Sequence, residues 1–131
     1  MFDYTNASDE IVANRNALAD KVRRELELAG IATFRQENAG ERAGAEIEVD
    51  LGADSAGGVF VSWNPHPSLS QAAADGVRNG QLQVPAIRHS GAVVSHMRDA
   101  MIGILASAGF RADIADDDMR PLAIRVWEDE A

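Results

Sequence analysis

Residues 90–109, SGAVVSHMRDAMIGILASAG, decide the fold of this chain. Apolar side chains recur there at steps of three and four, a period that predicts an α-helix with one broad apolar face. Ser90 is the predicted N-cap, and Gly109 supplies the left-handed residue that ends many helices. We therefore expect the main core helix here. Its apolar stripe consists of Val93, Val94, Met97, Met101 (or Ala100), Ile104, Leu105 and Ala108.

The segments around this helix alternate between helical and strand patterns. Residues 9–29 predict a first helix, capped by Ser8 and ended by Gly30. Alternation of apolar and acidic residues at 45–51 predicts the clearest strand. Further strands are predicted at residues 31–36, 59–63, 110–115 and 122–127, and a short helix at 69–78. These elements predict an α+β fold, with a single antiparallel sheet of about five strands and two main helices on one face.

The length of 131 residues suits one domain spanning residues 1–131. Residues 1–7 and 128–131 are expected to fray, and residues 64–89 to form a long irregular connection. The sequence contains no cysteine, no apolar run long enough to span a membrane, and no visible secretory leader. We therefore expect a cytoplasmic protein without disulfides.

The net charge of −9 bounds the class of partner. Nucleic-acid binders neutralise phosphates with clustered Lys and Arg, and a chain this acidic is repelled by phosphates at long range. The same repulsion disfavours anionic membrane surfaces. A basic protein partner is favoured by the field, although a high net charge is also a common device for solubility. We expect no nucleic acid and no membrane among the partners.

Motifs that carry chemistry are absent from this sequence. It contains neither of the glycine-rich phosphate-binding loops and no G-x-S-x-G nucleophile elbow. Asp116, Asp117 and Asp118 are consecutive, whereas a calcium loop needs alternating ligands, so they predict a solvated acidic turn. We expect no metal, no cofactor and no catalytic residue, and the balance is against an enzyme.

Two predicted strands place polar side chains on the sheet face away from the helices. Glu46, Glu48 and Asp50 alternate along one strand, with about 7 Å between successive side chains. Arg125 and Trp127 share one face of the last strand, and Trp with Arg is a frequent anchor pair at protein interfaces. These five residues form the candidate binding surface. The alternatives are that the carboxylates only face solvent and that Trp127 packs under the N-terminal segment.

The three histidines suggest an alternative pocket. His66 lies between two prolines, His89 precedes the predicted core helix, and His96 and Asp99 are three residues apart within it. If the connection at 64–89 folds over the start of that helix, these side chains converge on a metal or acid–base site. No H-x-x-x-H spacing supports this arrangement, so separate surface histidines are the competing interpretation.

The core helix also carries a second, smoother face. Ile102, Gly103 and Ala106 lie off the apolar stripe, and small side chains let two helix backbones approach closely. This pattern predicts a homodimer with these residues at its interface. The competing explanation is that the first helix, or the segment at 69–78, covers this face within one chain.

The predicted order α-β-β-β-α-β-β resembles that of the class I type III secretion chaperones, which are homodimers that bind unfolded effector segments without catalysis. No sequence motif carries this resemblance, and the final helix usual in that fold is missing here. Small acidic immunity proteins, which block basic toxins, and a permuted ferredoxin-like sandwich also fit the order and charge. The expected function is a non-catalytic, acidic protein-binding module, and the alternative is a small-molecule- or metal-binding domain or small enzyme with its site near residues 64–96.

Overall fold

The computed structural model describes residues 8–52, 57–116, 120 and 122–128. Among these residues, three helices and five strands follow one another in the predicted order, so the α+β class is confirmed. Fraying is expected at residues 1–7 and 128–131, but Glu128 is the last residue of the final strand and pairs with Phe110, so the expectation is wrong at this residue. Residues 1–7, residues 129–131 and most of the acidic turn lie outside the described residues. The elements are α1 (Asp9–Leu28), β1 (Thr33–Arg35), a 3₁₀ turn (Gln36–Asn38), β2 (Gly44–Asp50), β3 (Gly58–Asn64), α2 (Pro67–Arg78), α3 (Pro85–Ser107), β4 (Phe110–Ile114) and β5 (Ile124–Glu128).

The five strands form one sheet in the order β1-β2-β3-β5-β4. Three of the four pairings are antiparallel, but β1 runs parallel to β2. The expectation of a purely antiparallel sheet is therefore wrong at this edge. Residues 36–43 include the 3₁₀ turn and return the chain to the start of β2, so the two strands enter the sheet in the same direction.

Gly44 makes the close approach between β1 and β2 possible. Its φ is +132°, and a Cβ at this position would lie 2.4 Å from the carbonyl oxygen of Ala32. The next residue, Ala45, donates its N–H to that same oxygen at 2.8 Å. Only a residue without a side chain satisfies both the backbone angle and the spacing, so glycine is required here.

Helices α1 and α3 cover one face of the sheet, which we call the covered face. Ser8 caps α1 as predicted, accepting a hydrogen bond from the Ile11 N–H at 3.4 Å. Ion pairs and polar contacts also join α1 to the sheet, including Arg35 with Asp20 at 3.0 Å. The buried core under the helices contains Leu18, Ala19, Val22, Leu26, Ala45, Ile47, Val59, Val61, Met101, Leu105, Ala112, Ile124 and Val126.

Helix α3 begins earlier than the sequence predicts. Val84 occupies the N-cap position and Pro85 the first turn, so Ser90 lies inside the helix and is not its cap. Proline suits the first turn because its missing N–H has no partner there in any helix. The connection expected at residues 64–89 contains α2 and the first turn of α3, and α2 packs on α3. Within the described ranges, no helix combines the length and apolar character that crossing a bilayer requires.

Candidate binding surface on the uncovered sheet face

No helix among the described residues covers the second face of the sheet, which we call the open face. Cross-strand register defines its members, because residues directly opposite each other on paired strands point to the same side. Glu48 pairs with Phe60, Phe60 with Arg125, and Arg125 with Asp113. The cross-strand pairs two residues further along each strand point to the same side and give the remaining members of the open face. The open face includes Glu46, Glu48, Asp50, Phe60, Ser62, Asn64, Arg111, Asp113, Arg125 and Trp127, with Arg120 lying over it. Phe60 packs there in a small buried cluster with Ala115 and Ala123.

Arg120 binds the carboxylates of β2 from the segment between β4 and β5. Its Nε donates to Glu48 Oε1 at 3.1 Å and its Nη2 to Glu48 Oε2 at 2.5 Å. The same Nη2 donates to Asp50 Oδ2 at 2.6 Å. All three side chains are largely shielded from solvent, with Arg120 only 17% exposed. One guanidinium therefore neutralises two carboxylates, in the bidentate geometry that makes Arg–carboxylate pairs strong.

Asp50 is the titratable group that this cluster perturbs. Burial acts to raise its pKa, but a backbone hydrogen bond from Gly52, together with Arg120 and the charge of Arg15, outweighs that effect. The pKa of Asp50 therefore lies below its ordinary value of 3.8. The Gly52 N–H lies 2.8 Å from Asp50 Oδ1, and Arg15 of α1 donates to the Asp50 carbonyl oxygen at 2.7 Å. Asp50 is held as a carboxylate at neutral pH.

Aromatic rings and guanidinium groups alternate across the rest of the open face. The Arg120 guanidinium lies 4.1 Å from the Phe60 ring centre, and that of Arg125 lies 5.8 Å from it. Trp127 has two such neighbours, Arg125 at 5.0 Å and Arg111 at 4.4 Å. Attraction between the cations and the negative ring faces holds these flat groups in place. The array runs Arg120, Phe60, Arg125, Trp127, Arg111 across the sheet.

Arg125 is fixed in this array without a carboxylate partner among the described residues. Its Nη2 donates to the carbonyl oxygen of Gly57 at 2.9 Å. Its Nε is buried and has no hydrogen-bond partner among the described residues. Its guanidinium contacts the Phe60 and Trp127 rings and this backbone oxygen.

The predicted surface residues all lie on the open face, but the acidic members are less exposed than expected. Glu46, Glu48 and Asp50 are half-buried, because Arg120 covers two of them and Asn64 donates to Glu46 at 3.0 Å. Trp127 is half-buried between its two cations. Whether it also contacts Phe2 or Tyr4, as the alternative supposes, concerns residues outside the described part of the chain.

The histidines of the alternative pocket occupy separate structural settings. His66 is the N-cap of α2, where its Nδ1 accepts from the Ser68 N–H at 3.1 Å. His89 lies inside α3 rather than before it, and lines a cavity of about 300 Å³ with Arg88. His96 is exposed on α3, and Asp99 pairs with Arg98 at 3.3 Å. Among the described residues, no group of three or more His, Asp or Glu side chains is placed to hold a metal ion.

The three candidate dimer residues on α3 differ in their surroundings. Ile102 is half-buried and packs against the core of its own chain. Gly103 and Ala106 are exposed, and nothing lies within 4 Å of a Cβ built on Gly103. Ile102 is therefore shielded within one chain, and only Gly103 and Ala106 of the three remain as an exposed surface on α3.

Sequence reasoning missed three members of the array: Phe60, Arg111 and Arg120. A signal for Phe60 was present, since Val59 and Val61 alternate with it and leave it on the other side of the strand. Arg111 follows in the same way from the alternation of the next-to-last strand. Arg120 gives no local signal, because its partners lie 70 and 72 residues away.

Comparisons of this chain with models of protein families, with curated proteins and with solved structures gave no match.

Proposed function

We propose that this chain is a non-catalytic protein-binding module that uses its open face to hold a partner of net positive charge in the cytoplasm. The observation that supports this proposal is the presentation of Trp127 between two guanidinium groups, on a sheet face that no helix of the described part of the chain covers. Trp and Arg are the side chains most enriched at the energetic centres of protein interfaces.

The fixed geometry of the open face favours recognition. Side chains that are already immobilised lose little conformational freedom when a partner binds, so more of the contact energy appears as affinity. Here Arg120, Arg125 and Phe60 are held by hydrogen bonds and ring contacts. The Glu48 and Asp50 carboxylates already accept hydrogen bonds from Arg120, an arrangement that fixes the shape of the surface.

Charge acts on this interaction at two ranges. At long range the net charge of −9 attracts a basic partner and speeds its encounter. At short range most carboxylates of the open face are matched by Arg120, Arg111 or Asn64, so the contact itself relies on flat aromatic and guanidinium surfaces. Added salt should therefore lower the association rate constant more than it raises the dissociation rate constant.

The test is a comparison of three baits in extracts of the source cells, followed by affinity measurements on the recovered partner. Leu82→Ala is the control, because it truncates a side chain that is 67% exposed on another surface. Wild type and this control should recover the same basic protein at low salt. Trp127→Ala should weaken its binding at least about tenfold, as loss of an interface anchor does. Equal binding of all three baits, or a complex indifferent to salt, contradicts the proposal.

A cavity near the start of α2 supports the second candidate function, binding of a small polar molecule. It has a volume of about 360 Å³, within the range of ligand sites, and is lined by residues that include Arg42, Asn64 and Gln71. None of the three histidines lines it. A thermal-shift screen with small anionic and polar compounds tests this candidate: stabilisation of wild type that is lost in Arg42→Ala favours it over the protein-binding module.

A further inference from the structure

Strand β4 forms one edge of the sheet and is unusually regular for an edge. All five of its residues pair with β5 in unbroken register, from Phe110 with Glu128 to Ile114 with Ile124. No strand among the described residues lies on its other side. Natural edges are commonly protected by proline, by a bulge, by charged side chains or by extreme shortness. The two charged residues of β4, Arg111 and Asp113, have opposite signs, so they do not repel a second strand as a run of like charges would. β4 has no proline and no bulge, whereas the opposite edge, β1, is only three residues long.

The unpaired backbone groups of β4 belong to Phe110, Ala112 and Ile114. The Ala115 N–H donates to the Ala123 carbonyl at 2.9 Å, so Ala115 points its backbone groups towards β5. In an antiparallel pair this direction alternates along the strand. Residues 111 and 113 therefore bond to β5, and the N–H and C=O groups of residues 110, 112 and 114 point away from the sheet.

We propose that β4 binds β4 of a second copy of this chain, antiparallel, with Ala112 on the two-fold axis. The two Ala112 residues then exchange a pair of backbone hydrogen bonds. Across the axis, Arg111 of each copy lies opposite Asp113 of the other on the open face. Phe110 lies opposite Ile114 on the covered face, where Ile114 is 52% exposed in the single chain. Each opposed pair in this register therefore joins either two opposite charges or two apolar side chains.

The charges select this register and favour a second copy as the occupant. An axis at Arg111 places two guanidinium groups opposite each other, and an axis at Asp113 places two carboxylates opposite each other. Both arrangements are unfavourable, because like charges directly opposite destabilise a strand pair. Only the axis at Ala112 places Arg111 of each copy opposite Asp113 of the other. A second copy of this chain therefore supplies the complementary charge at both positions. Arg111 and Asp113 already lie 3.4 Å apart and are exposed, which leaves them available to the second copy.

The resulting assembly is a continuous ten-stranded sheet, twice the five strands of one chain. Its two open faces lie on the same side, so the dimer presents two Trp127 surfaces together. The interface differs from the α3 surface of Gly103 and Ala106, and the proposal does not depend on the protein-binding role of the open face.

Charge reversal tests the proposal through the molar mass in sedimentation equilibrium at micromolar concentrations. Wild type should have twice the monomer mass of 14.0 kDa. Arg111→Asp and Asp113→Arg should each be monomeric, with dissociation constants raised at least tenfold, because each places like charges across the axis. An equimolar mixture of the two variants should form a heterodimer, since opposite charges face each other again. The double variant should dimerise like wild type.

Gly103→Glu is the matched control, because it adds a charge to the exposed surface of α3 without a steric conflict. It should leave the mass at that of the dimer. A monomeric wild type overturns the proposal, as does a dimer that survives both single reversals. Loss of the dimer in Gly103→Glu alone assigns the interface to α3 instead. Circular dichroism of each variant establishes that it is folded, so a monomeric mass reports on the interface.

Discussion

The covered and open faces of this sheet bury side chains by different means. On the covered face, Val59, Val61 and Ile124 are fully buried against two helices, and polar groups are few. On the open face, Phe60 is equally buried, but it lies in a small cluster with Ala115 and Ala123, and the guanidinium groups of Arg120 and Arg125 lie near its ring. The first face excludes water with a large apolar core under two helices, and the second does so with a small apolar cluster and the flat cations beside it.

This difference separates stability from recognition. Apolar burial is non-directional and proportional to area, so the covered face supplies most of the free energy of folding. A half-buried ion pair gains less, because desolvation of the charges opposes their attraction. Such ion pairs instead fix the orientation of the side chains that they join. The following predictions test whether the two faces differ in this way.

Leu105→Ala on the covered face should have the largest effect. Leu105 is fully buried in the core, and truncation leaves a cavity that costs about 2–5 kcal/mol of unfolding free energy. Chemical denaturation measures this loss. Leu28→Ala is the control, because Leu28 is 70% exposed and its truncation should cost no more than about 0.5 kcal/mol. Similar losses at the two positions would mean that α3 is not packed as described.

Arg120→Met on the open face should destabilise the protein by a smaller amount. Methionine keeps most of the length but leaves Glu48 and Asp50 half-buried without their cation, which costs about 1–3 kcal/mol. Adding Glu48→Gln and Asp50→Asn should recover part of the loss, since the repelling charges are then gone. Arg23→Gln, which breaks an exposed helical ion pair, should cost only about 0.3–0.5 kcal/mol. An Arg120 variant no worse than this control contradicts the structural role of the cluster.

Asp50 should make the smallest contribution, visible as a dependence of stability on pH. Its pKa is lowered by folding, so its stabilising effect is present above pH 3.8 and is lost as pH falls through the folded-state value. The unfolding free energy of wild type should therefore fall more steeply below about pH 4 than that of Asp50→Asn. Denaturation at a series of pH values measures the two slopes. The difference should shrink in an Arg120→Met background, and identical slopes in both backgrounds would show that Asp50 is not perturbed.

The fold was predictable because its main signals are local. Alternation at residues 45–51 and 59–63 located β2 and β3, and the period of the core helix located the packed part of α3. The first turns of α3 were missed because the apolar stripe that indicated the helix begins only at Val93. In the structure α2 packs on α3, and Ile87 lies beside Gly76 of α2. The parallel direction of β1 was missed because a short link usually joins antiparallel strands.

The candidate surface was only half predictable. Strand alternation placed Glu46, Glu48 and Asp50 on one face, as it does for any strand. Their burial depends on Arg120, which is distant in sequence and lies beside an acidic run that indicates a solvated turn. Such contacts leave no periodic pattern in the sequence. They depend on where the chain brings Arg120 back to β2 after it has formed β3 and β4.

Gly44 has a consequence for the solubility of the protein. Any side chain at this position strikes the Ala32 carbonyl and forces β1 away from β2. β2, seven residues long and rich in β-branched side chains on its covered face, would then become an unprotected edge. Long exposed edges with such side chains recruit strands from other molecules and promote aggregation. A substitution at Gly44 is therefore expected to appear first as insoluble protein, before any loss of binding is measurable.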